Sequence, residues 1–249
     1  MNKIIQILNT RALRQAKITE KELSHPHFNI INCPAIEIIA KVNFQQDINR
    51  IISKPGNIYI FISANAVWNS LEIIKNKNSL RNIIAVGNAT KAALESYGYN
   101  NILTPKTAES AAILELPIIK DKELLDIVIF SGEPYKDYLE NKLLEKKHNV
   151  VSYKVYERKI CLNSVQQLNR TNNIDNIIVF SRETLLALNK LISISGNFSL
   201  KKACLITIDD DIRKLAIKLG FNHNICVLSD ESTNTRREQI LDFTKVRDI

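Results

Sequence analysis

The stretch Asp126–Arg158, DIVIFSGEPYKDYLENKLLEKKHNVVSYKVYER, decides the fold. Its apolar run Ile127–Phe130 predicts a strand that stops at Ser131-Gly132. Glu133-Pro134 predicts a turn, with the proline in the first turn of a helix. Tyr135, Tyr138, Leu139 and Leu143 recur at helical spacing through Lys147, and Val150–Tyr156 is again β-rich. Strand, helix, strand in this order is a βαβ crossover, which needs a parallel sheet with helices on its faces.

The same grammar extends in both directions. Lys3–Asn9, Phe28–Cys33, Ile58–Ile62, Ile83–Val86 and Asn101–Leu103 predict strands on the N-terminal side. Ile177–Phe180, Ala203–Ile208 and Ile225–Leu228 predict strands on the C-terminal side. Helices are expected up to Leu23, over Asn43–Ser53, Ala64–Lys75, Thr90–Tyr97 and Thr107–Leu116 (stopped by Pro117), over Glu183–Ile192, and through Ile212, Leu215, Ala216 and Leu219. Gly98 and Gly220 act as C-terminal stops.

The halves match. IYIFIS-ANAVWNSL resembles NIIVFS-RETLLALN, and IIAVGNATKAALESYGYNNIL resembles CLITIDDDIRKLAIKLGFNHNICVL. QILNTR falls against VIFSGE, and NCPAIEII against KVYERKI, at an offset of about half the chain, which is the signature of tandem duplication. Two flavodoxin-like, doubly wound parallel-sheet α/β domains with strand order 2-1-3-4-5 are expected. Reading the equivalent extended segments as a two-stranded crossover linker (35–39 and 157–159) assigns residues 1–34 plus 160–249 to a discontinuous domain. Residues 40–156 then form an inserted one.

Composition excludes several classes. The sequence has no run of about 18 apolar residues, so no membrane span is expected. The N-terminus MNKIIQILNTR lacks a signal peptide pattern, making the cytoplasm the expected compartment. Cys33, Cys161, Cys204 and Cys226 show no C-x-x-C pairing and suit buried thiols. His25, His27, His148 and His223 lack the spacing of a helical metal site, and no metal is expected. There is no P-loop, no G-x-G-x-x-G, no G-x-S-x-G elbow and no nucleic-acid signature. The net charge of +8 suits a polyanionic partner, although a lysine-rich surface that comes with a general abundance of Lys, Asn and Ile also produces it without any such partner.

Several strands end in a hydroxyl or a glycine before a helix: Thr10, Ser63, Gly87, Gly132 and Ser181. In open α/β sheets the carboxyl ends of the strands mark the ligand crevice, and helix N-termini there favour anions. Each serine or threonine also suits an ordinary N-cap. Together they point to a ligand bearing several negative groups.

In order and spacing over almost the whole chain, the sequence resembles the uroporphyrinogen-III synthase family. The matching pieces are ILNTRA (7–12), PAIEI (34–38), FISANAV (61–67), AVGNATKAALESYGY (85–99), SAAILELP (110–117), VYERK (155–159), IVFSRETLLAL (178–188) and DDDIRKLAIKLGF (209–221). The resemblance implies a HemD-like, cofactor-free hydro-lyase of haem biosynthesis. Its substrate would be hydroxymethylbilane, a linear tetrapyrrole with eight carboxylates. The hydroxyl leaves as water, and ring D attacks through its substituted α-carbon and is inverted on closure, so orientation is the main contribution. A monomer with transient contact to the preceding pathway enzyme is implied.

Carried over from the family, Tyr156 matches the tyrosine of VY-x-R and would assist the departing hydroxyl as a general acid. On the residues alone it reads as a strand-favoured aromatic. Thr10 and Arg11 match T-R-P, with Ala12 in place of proline. Ser63, Asn65 and Ala66 match the S-A-N-A-V turn. Gly87, Asn88 and Thr90 match a G-x-x-T helix start, and Ser181 a second serine turn. Gly132 is retained from a glycine-rich segment, now flanked by Ser131, Glu133 and Pro134, with Lys136 near a family arginine. Asp209, Asp210 and Asp211 stand where hydroxyl residues are usual; they cap a helix but repel carboxylates. A non-catalytic homologue that binds tetrapyrroles or other polyanions is the alternative reading.

Overall fold

The computed structural model describes residues 4–52, 54, 56–74, 80–107, 109–134, 137–222, 224–229 and 234–244. The elements run β1 (Ile5–Asn9), α1 (Leu13–Glu22), β2 (Phe28–Asn32), β3 (Ile36–Ala40), α2 (Gln45–Ile52), β4 (Ile58–Phe61), α3 (Ala64–Leu71), β5 (Ile83–Ala85), α4 (Asn88–Glu95) and β6 (Ile102–Leu103). A 3₁₀ turn (Ser110–Glu115) and α5 (Pro117–Lys120) lead to β7 (Asp126–Glu133), α6 (Tyr138–Glu145), β8 (Asn149–Ile160), α7 (Ser164–Arg170), β9 (Asn176–Ile178) and α8 (Arg182–Ser195). A second 3₁₀ turn (Phe198–Lys202), β10 (Cys204–Thr207), α9 (Asp210–Lys218), β11 (Ile225–Val227) and α10 (Arg236–Thr244) follow.

The chain divides into two compact units, Met1–Glu37 with Lys159–Ile249, and Ile38–Arg158. Unit 1 carries the sheet β2-β1-β9-β10-β11, with every adjacent pair parallel. Numbered within the unit, this is the flavodoxin-like order 2-1-3-4-5. Unit 2 carries β3-β8-β7-β4-β5-β6, in which β8-β7-β4-β5-β6 are parallel. When β7 is equated with β1, unit 2 has the same order with its strands permuted along the chain. At either end of β3, Cys161 N donates to Ala35 O (3.0 Å) and Lys41 N donates to Val155 O (2.9 Å), so β3 and β8 run antiparallel.

The physical origin of the sheets is burial on both faces. All four residues of β4, Ile-Tyr-Ile-Phe, are buried, as a central parallel strand under two helical layers requires. In unit 2, Tyr59 and Phe61 join one core with Phe130, Trp68 and Leu71, while Ile58 and Ile60 join another with Ile127, Ile129, Leu139 and Leu143. In unit 1, Ile5, Ile7, Ile178 and Ile206 pack with Leu23, Leu228 and Ile240. Cys33 is buried, the other three cysteines are partly so, and all four are free thiols.

Three expectations are corrected. Thr107–Leu116 is not an α-helix: Ser110–Glu115 is a 3₁₀ turn, and Pro117 opens α5 at its first position rather than ending a helix. Proline lacks the N–H that a first turn cannot use, so it suits that place. The strand after Asp126 does not stop at Ser131-Gly132 but continues through a bulge to Glu133. The Glu133-Pro134 bond is cis and α6 begins only at Tyr138, so Pro134 lies outside the first helical turn. Tyr135, Lys75, Ser53 and Pro55 fall outside the described residues.

Candidate active site

In an open sheet of order 2-1-3-4-5, ligands bind at the carboxyl ends of the strands where the winding reverses, between the first and third strands. In unit 2 these are β7 and β4, paired in register Phe130↔Phe61. Ser63, just past β4, is the N-cap of α3: its Oγ accepts from Ala66 N at 3.1 Å. The same Oγ lies 2.9 Å from the hydroxyl of Tyr156 on β8.

A bulge places that tyrosine. Ser131 pairs with Lys154 but Gly132 pairs with Tyr156, leaving Val155 as the extra residue. The ring of Tyr156 then fills the space above Gly132. A Cβ there would stand 2.1 Å from Cζ and 2.3 Å from Cε2, so only glycine fits. On its other side Tyr156 meets Arg158, whose guanidinium carbon is 4.9 Å from the ring centroid and whose Nη2 donates to the phenol oxygen at 2.5 Å. Tyr156 is fully buried, whereas Ser63 and Arg158 are half-buried. Arg158 was not singled out in the sequence, although residues two apart on a strand share a face and the spacing was legible. Glu133 pairs with Lys41, and the Ser131 hydroxyl is buried without a hydrogen-bond partner.

On the neighbouring strand, extended Gly87 caps α4 through its carbonyl, which accepts from Thr90 N and Lys91 N at 3.1 and 3.0 Å. Thr90 is buried and Asn88 exposed. Asn65 is buried in the first turn of α3, where its carbonyl accepts from Asn69 Nδ2 at 2.7 Å. Ala66 N and Thr90 N are taken up by their caps, and the amides before them, of Ala64 and Asn65 in α3 and of Asn88 and Ala89 in α4, come before the first intrahelical bonds. Two helix starts thus lie on adjacent strand ends, with Ser63, Asn65, Ala66, Gly87, Asn88, Thr90, Gly132 and Tyr156 gathered in one unit. Lys136 lies outside the described residues.

In unit 1 the corresponding strands are β1 and β9. Thr10, fully buried, spends its hydroxyl on the Ile178 carbonyl (2.6 Å), stitching β1 to β9 rather than facing solvent. Arg11 donates from Nη1 to Thr19 Oγ1 at 2.7 Å and lies 5.0 Å from the centroid of Phe180. Arg236, at the start of α10, lies over the same ring at 5.5 Å and 3.7 Å from Glu22. Burial first, then the charge of Arg236, lowers the Arg11 pKa to about 10, against the opposing pull of Glu22. Ser181 caps α8 by accepting from Thr184 N at 3.1 Å. Asp209 caps α9 by accepting from Asp211 N at 2.6 Å, and Asp210 is paired with Lys214 and Arg213, which hold its carboxyl below the usual range. Those acids are thus engaged within their own helix.

The class follows from this: a duplicated α/β protein of two doubly wound parallel sheets, each with capped helix starts and cationic or hydroxyl side chains at its winding reversal. A family model described as uroporphyrinogen-III synthase HemD matches residues 19–231, so the chain belongs to that family. Family and fold together indicate a uroporphyrinogen-III synthase function in porphyrin biosynthesis. Among solved structures, the chain is similar to a mutant uroporphyrinogen III synthase from the extremely thermophilic bacterium Thermus thermophilus, with TM-score 0.61 and 13% identity over 97% of this chain and 98% of that one. It is also similar to uroporphyrinogen-III synthetase from Helicobacter pylori, with TM-score 0.58 and 16% identity over 98% and 100%. At such identities the likeness speaks for the fold. No curated protein sequence matches the chain. No described helix is long and apolar enough to cross a membrane.

Proposed function

We propose that this protein closes hydroxymethylbilane to uroporphyrinogen III, losing water and inverting ring D, as a monomeric, cofactor-free hydro-lyase of the cytoplasm. The observation that carries the reading is the Tyr156 hydroxyl held between Arg158 Nη2 (2.5 Å) and Ser63 Oγ (2.9 Å). Arg158 donates to the phenol oxygen, and with Tyr156 as the donor of its bond to Ser63 the phenol proton lies towards Ser63. Ser63 already accepts from Ala66 N, and its own proton is left for an outside acceptor. Because Tyr156 is fully buried and Ser63 is not, the departing hydroxyl meets Ser63.

The step balances. The C–O bond breaks, the leaving hydroxyl takes the Ser63 proton and departs as water, and Ser63 takes the Tyr156 proton. Arg158 stabilises the phenolate. The proton lost when ring D regains aromaticity returns to the tyrosine. In unit 2 the helix starts at Ser63, Asn65 and Ala66 and at Gly87, Asn88 and Thr90, and in unit 1 the start at Ser181 and the cation of Arg11, are each suited to a carboxylate, and the net charge of +8 favours a polyanion. Orientation of a substrate that also closes unaided supplies the specificity.

The test is an isomer assay. Freshly generated hydroxymethylbilane is mixed with purified protein, oxidised, and the uroporphyrin I and III isomers are separated. An excess of isomer III over the protein-free control is expected. Isomer I alone, at the spontaneous rate and with folded protein, would instead support a binding protein. The full burial of Tyr156 and the acidic start of α9 at Asp209–Asp211 favour that second reading.

A further inference from the structure

We propose that Lys41 is a positioning residue: held to both strands of the β7–β8 bulge, it fixes the register that turns Tyr156 towards Ser63. Lys41 follows β3 and lies in unit 2, as do Glu133, Val155 and Tyr156. Resting on the role given to Tyr156 above, this makes Lys41 part of the apparatus of proton donation without its touching substrate.

Successive side chains of a strand point to opposite faces. Along β8, Tyr153 and Val155 join the core of Tyr59, Phe61 and Phe130, so an unbroken strand would send Tyr156 to the other face. There the sheet would part its hydroxyl from Ser63. Tyr156 nevertheless joins the same core as Val155, because Val155 is the extra residue between the pairs Ser131↔Lys154 and Gly132↔Tyr156. A regular register would set Val155 opposite Gly132 and Tyr156 opposite Glu133. The two registers thus differ by one residue and put the phenol on opposite faces.

A bulge takes backbone groups out of the ladder, and another partner must take them up. Lys41 N donates to the Val155 carbonyl at 2.9 Å. The Lys41 ammonium pairs with Glu133, which lies opposite Glu157 only in the bulged register. One residue therefore grips the bulged strand through its amide and the opposing strand through its side chain. The amide bond is indifferent to residue type, so the ammonium is the part of the grip that the sequence specifies. Gly132 gives the Tyr156 ring its space, yet a glycine is compatible with either register. Lys41 and Glu133 are partly exposed, so their pair adds little to global stability. What it biases is the choice between the registers, and kcat follows the fraction of molecules in the competent one.

Lys41→Met keeps the amide and the length of the side chain, whereas Lys41→Arg keeps the charge. Tyrosine labelled with carbon-13 at Cζ reports the surroundings of each phenol by NMR, and the Tyr156 signal is the one that Tyr156→Phe removes. In Lys41→Met that signal should move towards the position of tyrosine in the unfolded chain, and in Lys41→Arg it should stay. With hydroxymethylbilane, Lys41→Met should lower kcat about tenfold and leave KM within about twofold, because competent molecules are lost rather than substrate contacts. Lys41→Arg should recover most of that loss. In a Tyr156→Phe background Lys41→Met should cost nothing further, since no hydroxyl is left to place. The thermal midpoint should not change.

Formation of isomer III with unchanged kcat in Lys41→Met overturns the positioning role and leaves the synthase reading in place. A loss of kcat that is as large in the Tyr156→Phe background, or that tracks a fall in thermal midpoint, does the same. A wild type that forms no isomer III overturns the synthase reading. The tyrosine signal then decides alone: its movement in Lys41→Met supports the hold of Lys41 on the register, and its constancy overturns it.

Discussion

Replacing Gly132 with alanine puts a methyl group where the Tyr156 ring already stands, 2.1 Å from Cζ and 2.5 Å from Cε1. No backbone strain is involved at this position, so the cost is displacement of the ring. Forcing an extra methyl group into a filled core costs about 1–3 kcal/mol. A displaced ring also releases the hydrogen bonds to Ser63 and Arg158, each worth about 1 kcal/mol. Alanine recovers about 0.4–1 kcal/mol by stiffening the unfolded chain. The net expectation is a destabilisation of about 2–4 kcal/mol. Trp68, the sole tryptophan of the chain, is buried in unit 2, so its fluorescence follows that unit during urea unfolding. With a urea dependence of about 2 kcal/mol/M, the midpoint falls by about 1–2 M. In a Tyr156→Leu background the three ring atoms that crowd the new methyl group are gone, and the same substitution should cost less than about 0.5 kcal/mol. A cost that is equal in both backgrounds, or below about 0.5 kcal/mol in the wild type, would refute the argument.

Tyr156→Phe keeps the ring on Gly132 but removes the phenol proton; kcat should fall by about 10²-fold or more, the range of a lost general acid, while uroporphyrin affinity is retained. Turnover at the wild-type rate removes Tyr156 from the chemistry. Ser63→Ala loses both the cap on Ala66 and the bond to Tyr156, about 2 kcal/mol together, read from the Trp68 urea midpoint; an unchanged midpoint contradicts the capping geometry. His148 is 3% exposed with neither ring nitrogen hydrogen-bonded, and burial, followed by Lys146, lowers its pKa from 6.5. The unfolded state then binds the proton more readily, so the stability of unit 2 is full above pH 6.5 and is lost as pH falls towards the folded-state pKa. His148→Phe should flatten the pH 5–7 profile of the Trp68 midpoint, and an unaltered slope removes His148 as its cause.

What the sequence made legible was local. The apolar run of β4 and the Ser63 and Ser181 caps carry their signal within a few residues, and the matched halves carry the sheet order. What it hid was non-local. Gly132 looks like a turn residue, because its partner Tyr156 lies a strand and a helix away and the bulge exists only once the two strands pair. Pro117 reads equally well as the end of one helix or the start of another, and the 3₁₀ turn before it decides the matter. Helix α10 has one fully buried residue, Ile240, and no apolar stripe, so neither it nor Arg236 was anticipated, and α7 was missed as well. Thr10 reads as a strand end and Arg11 comes from the family resemblance, but their engagement with Ile178 and Thr19 depends on packing that no spacing encodes.

The permuted order of the strands also sets a schedule for synthesis. Unit 2 is one continuous stretch, Ile38–Arg158, whereas unit 1 has β1 and β2 before it and β9, β10 and β11 after it. A ribosome therefore releases everything unit 2 needs while β1 still lacks its neighbour β9. From Arg158 to the end of β11 at Val227, translation at about 5–20 residues per second leaves an interval of roughly 3–14 s. Until β9 is complete at Ile178, the apolar strand β1, with Ile5, Ile7 and Leu8, has only β2 to pair with. The inserted unit is thus born complete, and the enclosing one is the nascent chain's period of exposure to chaperones and to mispairing.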